Sequence, residues 1–250
     1  MTPELLASIC TQKDQLDQLR PLTGGALAQL QRYYDVELTF TSNAIEGNTL
    51  THRETAEVIE HGITVAGKPL KDHIEAVDHH AAVHWMRGLA AAATPLDEAV
   101  VRELHARIVA RSRPDIAGIY STYPRRIAGS AAVFPNPVKI PALMQQLGQD
   151  LGVAPNSPEA AFGLHFGLTA IHPFSDGNGR TARLLMNLLL IRGGYPPVAV
   201  RPEDRKTYLD ALEHGSLTGD IEPFQAVMHE RLDATLRDYL NALQAGLPQA

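Results

Sequence analysis

Apolar and polar positions along this chain follow helical spacing, and helical start and stop signals recur between the apolar stretches. The first segment, MTPELLASICTQKDQLDQLRPL, reads as an amphipathic helix with Thr2 as N-cap and Pro3 in the first turn, not as a signal peptide. Thr51 followed by Glu54 has capping-box spacing and Gly62 supplies a stop, which predicts a helix over 52–61. Ser157-Pro158 opens another, running through AAFGLHFGLTAI up to His172. The next begins near Gly179 and is ended by Gly193-Gly194 and Pro196-Pro197. Its middle, LLMNLLLI (184–191), is the most apolar run of the chain, and Asn187 interrupts it. It falls well short of the ~20 residues of a membrane span, so it predicts a buried core helix. Further helices are expected over roughly 24–46, 69–92, 97–110, 141–151, 203–215 and 221–244.

The pattern breaks over 114–140, PDIAGIYSTYPRRIAGSAAVFPNPVKI, where prolines and glycines separate short apolar pieces. YPRRIAG and AAVFPNP predict a short β-hairpin or extended flap with Pro-blunted edges. Such a flap is either a loose connection or a surface that holds a ligand, and long loops in compact domains are commonly of the second kind.

Composition narrows the class. The 250 residues are 44% hydrophobic and 20% charged, ordinary for a soluble globular protein. A net charge of −6 argues against non-specific nucleic-acid binding as the main task. Cys10 is the one cysteine and has no internal disulfide partner, which fits a reducing compartment. A cytoplasmic protein with no nucleic-acid or membrane partner is the expectation.

The chemistry concentrates in HPFSDGNGRTAR, residues 172–183. Pro173 stops the preceding helix and leaves His172 at its edge. Gly177 and Gly179 permit positive φ and let backbone N–H groups approach an anion. A helix follows at once, so its positive N-terminus faces the same loop. Arg180 and Arg183 lie three residues apart, on one helical face. Two guanidiniums above a ring of N–H donors suit a di- or triphosphate. Asp176 can hold Mg²⁺ against such phosphates, and His172 can take a proton from an incoming hydroxyl. Read residue by residue, the alternative is a Gly-rich turn with a capping Asn178 and two surface arginines.

The whole stretch resembles the signature of the Fic family, His-Pro-Phe-x-(Asp/Glu)-Gly-Asn-Gly-Arg-x-x-Arg, at every defined position. GIYSTYPRRIAGS…PNP ahead of it and RKTYLDALEHGSLTGDIEPF behind it extend the resemblance over residues 35–230. It implies an all-α fold: a Fic-like helical bundle core with a short β-hairpin flap at about 118–138 and an N-terminal inhibitory helix. On that reading residues 1–50 form the N-terminal helices and 51–250 one catalytic domain. The implied activity is Mg²⁺-dependent transfer of AMP from ATP to a Tyr, Thr or Ser hydroxyl of a target protein, or of the chain itself. By position, His172 is then the general base and Asp176 the Mg²⁺ ligand. Gly177, Asn178 and Gly179 cradle the phosphates, and Arg180 and Arg183 clamp them. Tyr208 sits where the family often places an aromatic near the adenine, and Asn187, one turn past Arg183, is either a nucleotide contact or a core-facing amide. The flap, at Ile127, Ala128 and Gly129, aligns the target by strand addition. Ser121 departs from the family pattern, which often has Arg after the flap's first tyrosine.

Upstream, FTSNAIEGNTL (40–50) places Ser42 and Glu46 four residues apart near a helix end. A Glu in the last turn is unfavourable against the helix dipole, so a compensating arginine is expected, unless water alone serves. The stretch resembles the family's inhibitory helix, (Ser/Thr)-x-x-x-Glu-(Gly/Asn), in its class II arrangement. The resemblance implies that Glu46 pairs with Arg183 and occupies the seat of the γ-phosphate, or that it helps remove AMP from a modified target. A nucleotide-sensing regulatory or toxin-like module is the alternative from another class. His80 and His84 have metal-capable i, i+4 spacing, but a solvated helix face explains them equally and no Cys or Glu-x-x-His completes a set. The N-terminal helix is expected to pack either on the core or on a second copy of the chain.

Overall fold

The computed structural model describes residues 2–22, 25–92, 94–127 and 129–246. Ten α-helices carry the described chain: α1 (Pro3–Gln18), α2 (Gly25–Ile45), α3 (His52–His61), α4 (Leu70–Ala91), α5 (Glu98–Ile108), α6 (Ile140–Val153), α7 (Pro158–Ile171), α8 (Asn178–Arg192), α9 (Arg205–Thr218) and α10 (Glu222–Gly246). The punctuation acts as its chemistry demands. Thr2 Oγ1 accepts from the Leu5 amide, and Thr51 and Glu54 exchange both bonds of a capping box. Gly62 closes α3 at φ 66°, a left-handed cap that glycine adopts without a Cβ clash.

The bundle is built around α8. Every residue from Arg180 to Leu190 on this helix is buried, and α7, α4, α5 and α2 all pack on it. A helix apolar all round must lie inside a core, and that is what LLMNLLLI specifies. The consequence for function is positional. The N-terminus of the most buried helix opens at one point of the surface, and the motif loop lies there. The N-terminal helix α1 packs on α10 of its own chain, with Ile9 and Leu16 buried between them. No helix among the described residues is long and apolar enough to cross a membrane.

The flap differs from expectation. Among the described residues of 118–138 no strand ladder forms. The one bridge joins Tyr120 to Phe174, and the Ser121 amide donates to the Pro173 carbonyl at 2.8 Å. Pro124, Pro135 and Pro137 lack ladder donors, so an internal hairpin cannot propagate. The segment instead pairs its start with the motif loop and docks its far side on α9, where Glu213 Oε1 accepts from Ser130 Oγ and the Ala131 amide.

Candidate functional site

Buried contacts at successive positions hold the loop between α7 and α8. His172 caps α7 at φ 51°, the sole positive φ of a non-glycine among the described residues, and its amide donates to the Leu168 carbonyl. Such strain costs of order 1 kcal/mol and persists only where surroundings over-determine it. Phe174 is fully buried and stacks face to face on His105, centroids 3.7 Å apart. Asn178 closes the loop: its Oδ1 accepts from the Phe174 amide at 2.9 Å and its Nδ2 donates to the Phe174 carbonyl at 2.8 Å. Because His105 Nδ1 accepts from the Gly118 amide (3.0 Å), the ring proton lies on Nε2 and is donated to the Asp176 carbonyl (3.0 Å). Burial pushes His105 down to about 4, so it stays neutral and keeps this tautomer. A Cβ on Gly177 would sit 3.3 Å from that ring.

The charges divide into two groups on either side of the loop. Asp176 Oδ1 accepts from the Gly177 amide at 2.6 Å and faces Arg180 Nη2 at 3.4 Å. Burial alone would raise this carboxyl, but Arg180 and the Gly177 amide outweigh it and the net shift is down. Arg180 is itself buried and also faces Glu75 on α4 at 3.5 Å. Arg183 points the other way. Its Nε donates to Ser42 Oγ (2.9 Å), while its Nη2 donates to the Ser42 carbonyl (2.9 Å) and to Glu46 Oε1 (2.7 Å). Tyr208 stands behind it, its hydroxyl 3.5 Å from Arg183 Nη1 and 2.9 Å from His165 Nε2. Burial opposes the Arg183 charge, but Tyr208 and Glu46 outweigh it and the net shift is upward.

A cleft of about 390 Å³ opens over this second group. Glu46, His172, Gly179, Arg183 and Tyr208 line its floor; Ile127, Gly129 and Phe134 of the flap form its wall. Phe134 stacks on the His172 ring at 4.2 Å. Burial is the largest influence on His172 and lowers it below its ordinary value, so the imidazole is neutral near pH 7. An ideal Cβ on Gly179 would lie 2.5 Å from Glu46 Oε1 and 3.0 Å from Arg183 Nη1. A Cβ there would push the Glu46 carboxylate or the Arg183 guanidinium aside, so glycine leaves room for the two to meet across the first turn of α8.

The Fic/DOC family model matches residues 95–190, which hold this loop, most of α8 and the flap. Protein adenylyltransferase Fic of Drosophila melanogaster is 32% identical over 248 residues, 98% of this chain and 49% of that protein. Protein adenylyltransferase fic-1 of Caenorhabditis elegans is 29% identical over 96% of this chain and 48% of its own length. The chain thus spans about half the length of the curated relatives it matches. Among solved structures, a Fic domain-containing signaling protein from Bacteroides thetaiotaomicron superposes with a TM-score of 0.86 at 29% identity, covering 97% of this chain and 99% of that one. Fic-1 of C. elegans gives 0.84 at 29% identity, with 96% and 71% coverage. The chain belongs to the Fic family.

Of the Fic residues expected from sequence, the structure brings His172, Gly179, Arg183, Tyr208, Glu46, Ile127 and Gly129 to one cleft and Ser42 to the buried side of Arg183. Ala128 lies outside the described residues. Three further readings are decided by side-chain partners. Asn187 does not face the cleft: it is buried, and its amide brackets the Val198 backbone, donating at 3.0 Å and accepting at 2.7 Å. The Asn178 side chain is spent on Phe174, so it shapes the loop and leaves only the backbone to meet a ligand. Arg180 and Arg183, though three apart, diverge, because Glu75 and Asp176 draw one while Ser42 and Glu46 draw the other. Sequence reasoning missed His105, Glu213 and Arg205. His105 sits in the last turn of α5 with no local signal of its role; its partners are 13 and 71 residues away. Arg205, at the start of α9, donates Nε to the Ile45 carbonyl at 2.9 Å and so caps the end of α2.

Proposed function

We propose that this Fic protein is an autoinhibited, Mg²⁺-dependent protein adenylyltransferase. The carrying observation is that the neutral His172 ring, the N-terminus of α8 and Arg183 share one cleft. The start of α8 offers orphan N–H groups and a positive dipole end to a phosphate chain. Arg183, protonated and pre-oriented by Ser42 and Tyr208, suits the terminal phosphates. The target hydroxyl oxygen bonds to the α-phosphorus of ATP while the bond to the β-phosphate oxygen breaks, and pyrophosphate leaves. His172 holds the hydroxyl proton at its ring nitrogen. Asp176 fits a Mg²⁺ ligand, since it is ionised, partly exposed and has Oδ1 fixed by the Gly177 amide. Mg²⁺ bound there supplies charge neutralisation between phosphates. The flap presents backbone at Ile127 and Gly129 for a target segment, a recognition mode that reads main chain more than side chains. The free Cys10 supports a cytoplasmic setting.

Autoinhibition rests on Glu46 taking the Arg183 guanidinium that a γ-phosphate needs. A second reading has its own observation: the Glu46 side chain is 42% exposed and lines the same cleft as His172. A carboxylate so placed can also orient a water toward an AMP-modified target, making the enzyme a deAMPylase or bifunctional. Incubation with α-labelled ATP tests the main reading. Label on protein that depends on His172 supports transfer; ATP binding without label in any variant supports a nucleotide sensor; loss of label from pre-modified protein supports removal.

A further inference from the structure

The His80–His84 pair on α4, left without a third ligand by the sequence, acquires one from α2. His80 Nε2 and His84 Nε2 lie 3.0 Å apart, and Asp35 Oδ2 lies 3.7 Å from His84 Nε2. All three donor atoms fall within 4.8 Å of one another. Metal–nitrogen and metal–oxygen bonds of about 2.0–2.2 Å place tetrahedral donors about 3.3–3.5 Å apart, the middle of this range. The carboxylate is already oriented: Arg87 Nε donates to Asp35 Oδ1 at 2.6 Å and leaves Oδ2 toward the imidazoles. Such an outer partner is the usual means of aiming a ligating carboxylate. Asp35 is 8% exposed and His84 59%, so the cluster is anchored on one side and open to water on the other.

We propose that Asp35, His80 and His84 bind a divalent transition-metal ion of the zinc class, with water completing the shell, and so fasten α2 to α4. Two imidazoles and one carboxylate are the donor set such ions favour over Mg²⁺ or Ca²⁺. The Arg87 charge sets affinity below that of a closed structural site. Asp35 precedes Ser42 by two helical turns on the helix that delivers Ser42 and Glu46 to Arg183. Fastening α2 therefore strengthens the brake; this consequence, unlike the metal site itself, rests on the autoinhibited reading.

The test uses untagged protein stripped with chelator, as wild type, His84→Ala and His80→Asn, with matched circular dichroism confirming folding. Titration with Zn²⁺ is expected to give one equivalent bound to wild type and at least tenfold weaker binding in each variant. Co²⁺ should give tetrahedral d–d absorption in wild type alone, and Zn²⁺ should raise the thermal midpoint of wild type alone. Equal binding by the three proteins, or no uptake by wild type, overturns the site. Zn²⁺ should also lower AMP labelling by wild type and not by His84→Ala. An equal response of the two, with the binding difference intact, overturns the fastening of the brake and leaves the metal site standing.

Discussion

Replacing Glu46 by glycine tests the relation between the two motifs most directly. The substitution removes the carboxylate that sits 2.7 Å from Arg183 Nη2. It does little else, since Glu46 follows the last residue of α2 and a glycine there breaks no helix. Breaking a fully buried ion pair by deleting one partner costs ~3–5 kcal/mol, much of it from the orphaned charge. Here two features reduce that figure. The Glu46 side chain is 42% exposed, so water screens its charge. Arg183 also keeps the Ser42 hydroxyl, the Ser42 carbonyl and Tyr208, so it is not orphaned. About 1–3 kcal/mol remains, equivalent to a roughly 5- to 150-fold larger share of molecules with the Arg183 seat open. Transfer of label from α-labelled ATP at saturating Mg²⁺ and ATP should rise by that range in Glu46→Gly. It should rise less in Glu46→Gln, which keeps the volume and a neutral hydrogen bond. Equal labelling by Glu46→Gly and wild type, with both folded and both binding ATP, would refute the brake.

Other outcomes follow from the same geometry. His172→Ala should abolish labelling in the Glu46→Gly background while ATP binding, followed by calorimetry, persists. Because burial holds His172 below its ordinary value, its imidazole stays neutral at pH 7, and with His172 as the proposed base the acid limb of kcat/KM should fall below pH 6.5. His105 is pushed down to about 4 and His165 to about 3 by burial, so the unfolded chain binds more protons than the fold below pH 6.5. The contribution of these two histidines should be constant above that pH and decline as it drops, levelling near pH 4 for His105 and near 3 for His165, as urea titrations from neutral pH to below 3 would show. His105→Ala should destabilise the chain by roughly 2–4 kcal/mol, since two buried backbone groups lose their partner together with the Phe174 stack. Tyr208→Phe leaves His165 Nε2 and Arg183 without the hydroxyl and should cost about 1–3 kcal/mol by chemical denaturation.

Local rules carried far in this chain. Caps at Thr2, Thr51, Ser157 and Gly62 work through bonds to residues three or four positions away, so they are readable from a short window. The all-round apolar LLMNLLLI could only be a buried helix, and the motif ahead of it had to open at that helix's N-terminus. The Ser42–Glu46 pair announced a missing cation, and Arg183 supplied it from 137 residues away.

What tertiary structure decided depends on partners remote in sequence. Nothing local says that Asn187 turns to Val198 and away from the cleft, or that Arg180 turns to Glu75 while Arg183 turns to Ser42. The prolines of the flap foretold that its edges would be blunt. Its pairing with Pro173 and its anchorage on Glu213 were settled by what the bundle placed nearby. His105 and the Asp35–His80–His84 cluster make the same point. A side chain's type and spacing limit what it can bind, but which donors meet is set by how α2, α4, α5 and α8 pack, because a hydrogen bond or a metal ligand tolerates only fractions of an ångström.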